Sequence, residues 1–402
     1  MVNPVLSIDV SKSVSHAALF LSHGQLYQKP FRFTHSPDGV SYLVDSLRKV
    51  ELETSVKPKV VLEATGNYSK PLVKFFGDEG YDVVVLNPIE THLLKKKAIR
   101  KIKTDPIDVN RIAEVYYSNK FVIQAVQDSS VSELRNLCRH YSGLTDLFTE
   151  TQLRFRSVLD LLFPNFDRTF HTVCSKTALH FLSLFPSPSA VLAADRKDLL
   201  AALKLAKHHK TWNEEKVDKI LLAAKESLPD TSAQQSNIRV LQDYIRILMT
   251  QHNILADIRA QMTSQASLSP QFELLLSIPG VGELTATTIL SEIGDINRFP
   301  TTKQLVAFAG LDPSVYQSGK FTASNNKISK RGSTYLRKAL YQSTIAGIMK
   351  RTNGPKNTLL YSFFAKKIAE GKPHRVAIIA TSNKLLKIIF GILRSRKPFM
   401  CC

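Results

Sequence analysis

The spacing of apolar and polar positions changes along the chain, and the changes mark out its organisation. Between residues 4 and 35, three runs of β-forming residues, PVLSIDV, SHAALFLS and QLYQKPFRFTH, are separated by polar turn-like segments and predict a three-stranded meander. SPDGVSYLVDSLRKV opens on Ser, Pro and Asp and then carries apolar residues at helical spacing, so it predicts a helix. PKVVLEATG and YDVVVLNP read as buried strands around a helical KPLVKFFGDEG. KTDPIDVNRIAEVYYSNK follows as a helix that Thr104 or Asp105 can cap, with Pro106 in its first turn.

Three strands, helix, strand, helix, strand, helix is the order of a ribonuclease-H-like α/β domain, placed at residues 1–122. Beyond it the period lengthens. Steps of three and four from Leu134 meet Leu137, Tyr141, Leu144, Phe148, Thr151, Phe155, Val158 and Leu162, and only Thr151 breaks the apolar seam. From Leu241 the same steps meet Tyr244, Leu248, Gln251, Leu255, Ile258 and Met262. A period near 3.5 predicts a coiled-coil arm within 123–270, folded back on itself or paired with another subunit. Two amphipathic helices of an ordinary bundle would show the same pattern. Pro164, Pro186 and Pro188 break up the stretch from 164 to 236, which reads as a small helical insert. From 271 to 402 the chain reads as a mainly helical domain, opening on two helical patterns joined by Pro279-Gly280-Val281-Gly282, the outline of a helix-hairpin-helix element.

Charge changes the picture. The 402 residues hold 54 Lys and Arg against 34 Asp and Glu, a formal net charge of +20. Residues 320–402 hold eighteen of those cations and one acid, Glu370, and so supply +17 of it. Such a field points to a polyanionic partner, nucleic acid before a membrane surface, because a bound phosphate releases condensed counterions. VAIIATSNKLLKIIFGIL is interrupted by Lys384 and Lys387, so no membrane-spanning helix is expected. MVNPVLSIDVSK lacks the basic and apolar regions of a signal peptide. Cys138, Cys174, Cys401 and Cys402 show no metal-ligand spacing, and a reducing cytoplasm is expected.

Four acids stand where chemistry is expected. Asp9 ends the first strand and Glu63 ends the fourth, and Asp105 and Asp108 lie three apart at a helix start. Singly they read as turn or capping residues. If the first and fourth strands are parallel neighbours, Asp9 and Glu63 emerge side by side, and the helix with Asp105 and Asp108 can close over them. Four converging carboxylates need a cation, and hard oxygen ligands suit Mg²⁺ or Mn²⁺, the ions of two-metal phosphoryl transfer. Gly280 and Gly282 would let backbone N–H groups approach a DNA phosphate. Ser318 lies upstream of Lys327, Lys330, Arg331, Arg337 and Lys338, and by itself reads as an ordinary surface serine.

SIDVSK, LEATGNY, KTDPID, IPGVG, AFAGLDPS, the QSG around Ser318 and KISKRGSTYLRKAL occur in this order. Together they resemble the insertion-sequence transposases of the IS110 family, relatives of the Piv site-specific invertases, over roughly 1–120 and 270–397. The resemblance implies a RuvC-like domain whose Asp9, Glu63, Asp105 and Asp108 bind divalent metal. It also implies a C-terminal transposase domain with Ser318 as the catalytic serine, from which we expect a composite site, within one chain or across subunits joined by the coiled coil, where metal and serine act on one phosphate. Where many relatives read Ser-Ser-Gly-Gly, this chain has Gln317-Ser318-Gly319-Lys320. The resemblance further implies double-stranded DNA as substrate, a structured guide RNA from the element, a homo-oligomer joined through the coiled coil, and a prokaryotic cytoplasmic, nucleoid-associated location.

The alternative is a non-catalytic structural protein that binds a DNA junction or RNA and whose acids are degenerate. A second alternative, a sugar-kinase or chaperone-type ATPase, shares the sheet but is disfavoured because Ser11-Lys12-Ser13 and a single Gly66 stand where Gly-rich phosphate loops are needed. Lys320, Lys327, Lys330, Arg331, Arg337 and Lys338 are the expected backbone contacts to nucleic acid. With ~6–10 such contacts, affinity for duplex DNA falls by roughly 10³–10⁵ between 50 and 200 mM salt. A salt titration by filter binding that stays flat removes the basic tract from the interface.

Overall fold

Alternation along the first strand sets the architecture of the N-terminal part. The computed structural model describes residues 3–64, 66–86, 105–118, 129–204, 214–313, 317–318, 321–322, 327–352 and 354–400. The chain divides into two compact units, Met1–Val126 and Gln127–Cys402.

In the first unit, β1 (Val5–Asp9), β2 (Val14–Ser22) and β3 (Gln25–Thr34) form the predicted meander. They are followed by α1 (Pro37–Thr54), β4 (Lys59–Glu63), α2 (Ser69–Asp78), β5 (Val83–Leu86) and α3 (Asp105–Tyr117). Ser36 caps α1 by accepting from the Gly39 amide, with Pro37 in the first turn, as the sequence predicts. The sheet order is β3-β2-β1-β4-β5. β1 pairs antiparallel with β2 and parallel with β4, and β4 pairs parallel with β5.

β1, β2, β4 and β5 each supply side chains to both faces of the sheet. Leu6, Ile8, Val60 and Leu62 pack with Leu43 and Leu47 of α1 and with Leu72 and Phe76 of α2. Val5, Val61, Val84 and Leu86 pack with Ile112, Val115 and Tyr116 of α3, while Ala18 and Phe20 meet Val109 and Ala113. Period-two alternation therefore gives α3 the face that carries Val5 and Ser7.

The second unit is helical. α4 (Ser129–Leu162) leads into the insert, α5 (Lys176–Leu184), α6 (Pro188–Ala193), α7 (Arg196–Lys204) and α8 (Glu214–Glu226), and α9 (Gln234–Ser267) returns. α4 and α9 pack along each other in antiparallel fashion: the Gln265 amide donates to the Ser130 carbonyl at 3.2 Å and the Gln251 amide to the Thr151 hydroxyl at 3.3 Å. Thr151 and Gln251 are the polar interruptions of the two predicted seams, and here they meet in one hydrogen bond. The long helices thus fold back within one chain. One end of the pair, with Leu134, Cys138, Ile258 and Met262, enters the C-terminal core. The other, with Phe155, Leu159, Leu162, Leu241, Ile245 and Leu248, enters the core of the insert.

The remaining helices are α10 (Pro270–Leu276), α11 (Glu283–Ile293), α12 (Thr302–Phe308), α13 (Thr334–Ile348), α14 (Thr358–Ala369) and α15 (His374–Ser395). Two short antiparallel pairs join them, β6 (Gln317–Ser318) with β7 (Phe321–Thr322) and β8 (Lys350–Arg351) with β9 (Gly354–Pro355). By length and composition α15 is apolar enough to cross a membrane, with a mean hydropathy of 1.7, a test that a buried core helix also passes. Half of that stretch is buried within the protein, and Leu385, Leu386, Ile389 and Leu393 belong to the C-terminal core. Cys138 and Cys174 are buried free thiols, and Cys401 and Cys402 lie outside the described residues.

The turn between α10 and α11 is held by close backbone contact. Gly280 has φ +106°, and a Cβ there would lie 2.6 Å from the Gly347 Cα of α13. The Asn357 side-chain amide also donates to the Pro279 carbonyl at 3.0 Å. Gly280→Ala should cost about 1–3 kcal/mol through overpacking against backbone that cannot yield. Gly282→Ala, with nothing within 4 Å of the added carbon, should lose only the preference of a helix N-cap for glycine over alanine and so cost less. Urea denaturation of the two full-length variants measures this, and equal midpoints contradict the packing role of Gly280.

Candidate catalytic residues

The acids of the first unit are brought toward one sheet edge by register. Ile8 pairs with Leu62 across β1 and β4, so Asp9 and Glu63, one residue further along parallel strands, end neighbouring strands at the same edge. Both share the face of Val5, Ser7 and Val61, which α3 covers. α3 is tied to that face by the buried Ser7 hydroxyl, which donates to the Val109 carbonyl at 2.6 Å. Asp108 directly precedes Val109, and Asp105 begins the helix one turn earlier. Asp9 stands two residues beyond Ser7, roughly 7 Å along the strand. Asp9 and Glu63 are partly exposed, whereas Asp108 is buried.

The donor set suits a hard divalent cation in kind, since carboxylate oxygens at a sheet edge are the ligands Mg²⁺ and Mn²⁺ take. One contact competes. Arg111, one turn along α3, donates to Asp108 Oδ1 at 2.9 Å, and both side chains are largely shielded from water. Among the described residues no three acidic or imidazole groups converge as a ready metal site. The side chain of Asp105 lies outside the described residues. A cation held here would have to compete with the ion pair between Asp108 and Arg111.

In the second unit Ser318 ends the first strand of a two-residue antiparallel pair, in register Gln317↔Thr322 and Ser318↔Phe321. Its side chain, and Lys320 entirely, lie outside the described residues. Downstream, Lys327, Lys330 and Arg331 are exposed on the segment that returns to α13. Lys330 adopts φ +54° there, and its amide donates to the Gly310 carbonyl at 3.2 Å. Arg337 and Lys338 have internal partners. Arg337 donates to the Ala309 carbonyl at 2.9 Å, and Lys338 pairs with Asp146 of α4 at 3.3 Å. Gly280 is buried against α13, while Gly282 is exposed at the start of α11 and its amide donates to the Thr285 hydroxyl at 3.0 Å.

Sequence reasoning missed the most constrained charge in this unit, Glu292. It is 1% exposed. Arg139 of α4 donates to both of its oxygens, at 2.8 and 3.1 Å, and the Ser333 hydroxyl donates to Oε2 at 2.8 Å. Arg135 caps the same end of α11 through the Ser291 and Glu292 carbonyls. Burial pushes the Glu292 carboxyl up, but the hydrogen bonds from Arg139 and Ser333 outweigh it and hold the group below the ordinary glutamate value. The signal in the sequence was an acid inside the apolar TILSEIG run, which required a partner, and Arg135 and Arg139 at one-turn spacing on the long helix.

Comparison with known proteins decides the family. A model of the IS110 DEDD transposase matches residues 6–164, a span that contains all four acids, and a model of the transposase IS116/IS110/IS902 family matches 272–361, a span that contains Ser318. The chain belongs to the IS110 family of transposases. It is 25% identical to the 43.6 kDa protein of insertion element IS110 from Streptomyces coelicolor, over 73% of this chain and 71% of that protein. It is 24% identical to the pilin gene-inverting protein of Moraxella bovis over 98% of this chain and 97% of that one. The transposase for insertion sequence element IS1111A of Coxiella burnetii is 31% identical over 40% of this chain and 44% of its own. As an IS110-family transposase the chain is an enzyme that acts on DNA.

The depressed Glu292 carboxyl has a consequence for acid stability. A group whose folded pKa is lowered contributes stability that is complete above its unfolded value, about 4.5, and is lost as pH falls through the folded value. The stability gap between wild type and Glu292→Gln should be widest near neutrality and shrink below pH about 4.5. Urea midpoints at about pH 7 and about pH 3.5 measure it, and an undiminished gap at the lower pH contradicts the ionised assignment.

Proposed function

We propose that this chain is the transposase of a mobile insertion sequence that cuts and rejoins DNA through a covalent serine–DNA intermediate, assisted by divalent metal and directed by an RNA from the element. The observation that carries the metal half is the parallel register of β1 and β4, which ends Asp9 and Glu63 on neighbouring strands on the face covered by α3. The serine half rests on Ser318 within the span matched by the second family model. Exposed Lys327, Lys330 and Arg331 beside its hairpin support a phosphodiester as the bound group.

Recombination has to conserve the phosphodiester bond. Attack of the Ser318 oxygen on phosphorus forms a serine phosphodiester and releases a deoxyribose hydroxyl, which takes up a proton. Attack by a second deoxyribose hydroxyl then reforms the DNA backbone and returns the serine with its proton. Asp9 and Glu63, and Asp105 and Asp108 from α3, hold the acidic edge. These carboxylates would hold a divalent cation, whose chemistry would be charge neutralisation at phosphoryl oxygens. Arg331, Lys330 and Lys327 bind backbone phosphates and leave base choice to the RNA. Because α4 and α9 consume their seams on each other, assembly along the arm would use its exposed apolar residues, such as Leu147, Leu153 and Ile254.

The Asp108–Arg111 ion pair favours the second reading, a structural binder with a degenerate acidic set, and the same experiment separates the two. Supercoiled DNA with the element's ends, the RNA from those ends and Mg²⁺ should yield strand cleavage and a protein–DNA adduct that survives denaturation. Ser318→Ala should form no adduct, and Asp9→Ala should lose cleavage by at least about 100-fold while still binding DNA. Undiminished cleavage by Asp9→Ala, or in the presence of a chelator, removes metal from the mechanism. An adduct formed by Ser318→Ala removes the serine.

A further inference from the structure

A nucleophile on a strand two residues long cannot be positioned by that strand alone. The pairing of Gln317–Ser318 with Phe321–Thr322 is short, so its orientation depends on the base from which it rises. On one side of the base stands the turn after α12, and on the other the segment entering α13. A backbone bridge joins Pro313 to Ile328, the Ser329 amide donates to the Asp312 carbonyl at 2.8 Å, and the Ser333 amide donates to the Phe308 carbonyl at 2.8 Å. The fit is tight enough that a Cβ on Gly332 would lie 1.9 Å from the Phe308 carbonyl oxygen.

Ser333 is where this base meets the buried carboxylate. Its oxygen accepts from the Leu336 amide at 3.1 Å and so caps α13, while its proton goes to Glu292 Oε2 at 2.8 Å. Glu292 is in turn clasped by the two-toothed guanidinium of Arg139, which lies over the Tyr335 ring at 5.1 Å. An apolar residue of similar volume often stabilises such a position as well as an ion pair does, but it does not fix direction. A forked guanidinium and a hydroxyl on one carboxylate admit a single arrangement.

We propose that Glu292, with Arg139 and Ser333, is a positioning relay that fixes the hairpin carrying Ser318 to the long helix α4. The relay rests on the reading of Ser318 as nucleophile. It predicts that loss of the carboxylate contact misplaces the serine without unfolding the chain or releasing DNA.

Ser333 separates the two roles. Glycine caps a helix almost as well as serine but donates nothing to Glu292, whereas threonine keeps both functions. In the full-length protein with DNA carrying the element's ends, their RNA and Mg²⁺, Ser333→Gly should bind DNA within about twofold of wild type. It should form the covalent adduct about 10–100-fold more slowly. Ser333→Thr should restore the rate, and Arg139→Lys, which loses the fork, should slow it similarly. Wild-type adduct rates in Ser333→Gly and Arg139→Lys overturn the relay. A rate loss that merely follows lost helicity or lost DNA affinity also overturns it, because the contact is then structural only. If Ser333→Gly does not fold, Arg139→Lys decides. Ser318→Ala run in parallel separates the two readings: an adduct from it overturns the nucleophile and the relay together, and no adduct from it leaves the relay to stand or fall on the other variants.

Discussion

A carboxylate withdrawn from water must be matched by donors, and in residues 127–402 that requirement falls on Glu292. Its partners come from places far apart in sequence: Arg139 from α4, Ser333 from the start of α13, and Arg135 on the carbonyls around it. Arg139 keeps 46% of its side chain exposed while Glu292 keeps 1%, so losing a partner leaves a desolvated carboxylate, which costs more than breaking an exposed salt bridge. The cations also sit at the C-terminal end of α11, where the helix dipole is negative and favours them. One buried charge therefore sets where the long arm meets the C-terminal core, and where the segment downstream of the Ser318 hairpin enters its helix.

In the first unit the comparable constraint is sheet parity. Leu6 and Ile8 are committed to α1 and α2, so Ser7 and Asp9 are committed to α3, and the parallel register applies the same rule to Val61 and Glu63. A one-residue slip between β1 and β4 would place the two acids on opposite faces. The Ser7–Val109 hydrogen bond then sets how far along the sheet the first turn of α3 lies. On that same helix Arg111 holds Asp108 in an ion pair at 2.9 Å.

The basic tract divides between two kinds of work. Arg337 on Ala309, Lys338 on Asp146, and Arg394 on Asn297 are spent on the protein itself. Lys327, Lys330 and Arg331 are exposed. α15, which carries several of the cations, also supplies Leu385, Leu386 and Ile389 to the core. Net charge alone therefore overstates the surface available to a polyanion.

Periodicity in the sequence was enough to determine the meander, the order of the first unit, the two long helices and the residues in their seams, because burial of one face leaves a local pattern. It also marked Thr151 and Gln251 as interruptions, and Asp9 and Glu63 as strand ends. It did not determine that α4 and α9 pair with each other, that Gly280 is needed for contact with Gly347, or that Arg337 and Lys338 find partners within the protein. Nor did it join Glu292 to Arg139 and Ser333, which are 153 and 41 residues away. These are contacts between segments remote in sequence, and only the tertiary structure decided them, because hydrogen bonds and close packing follow distance in space, which no local spacing of residues records.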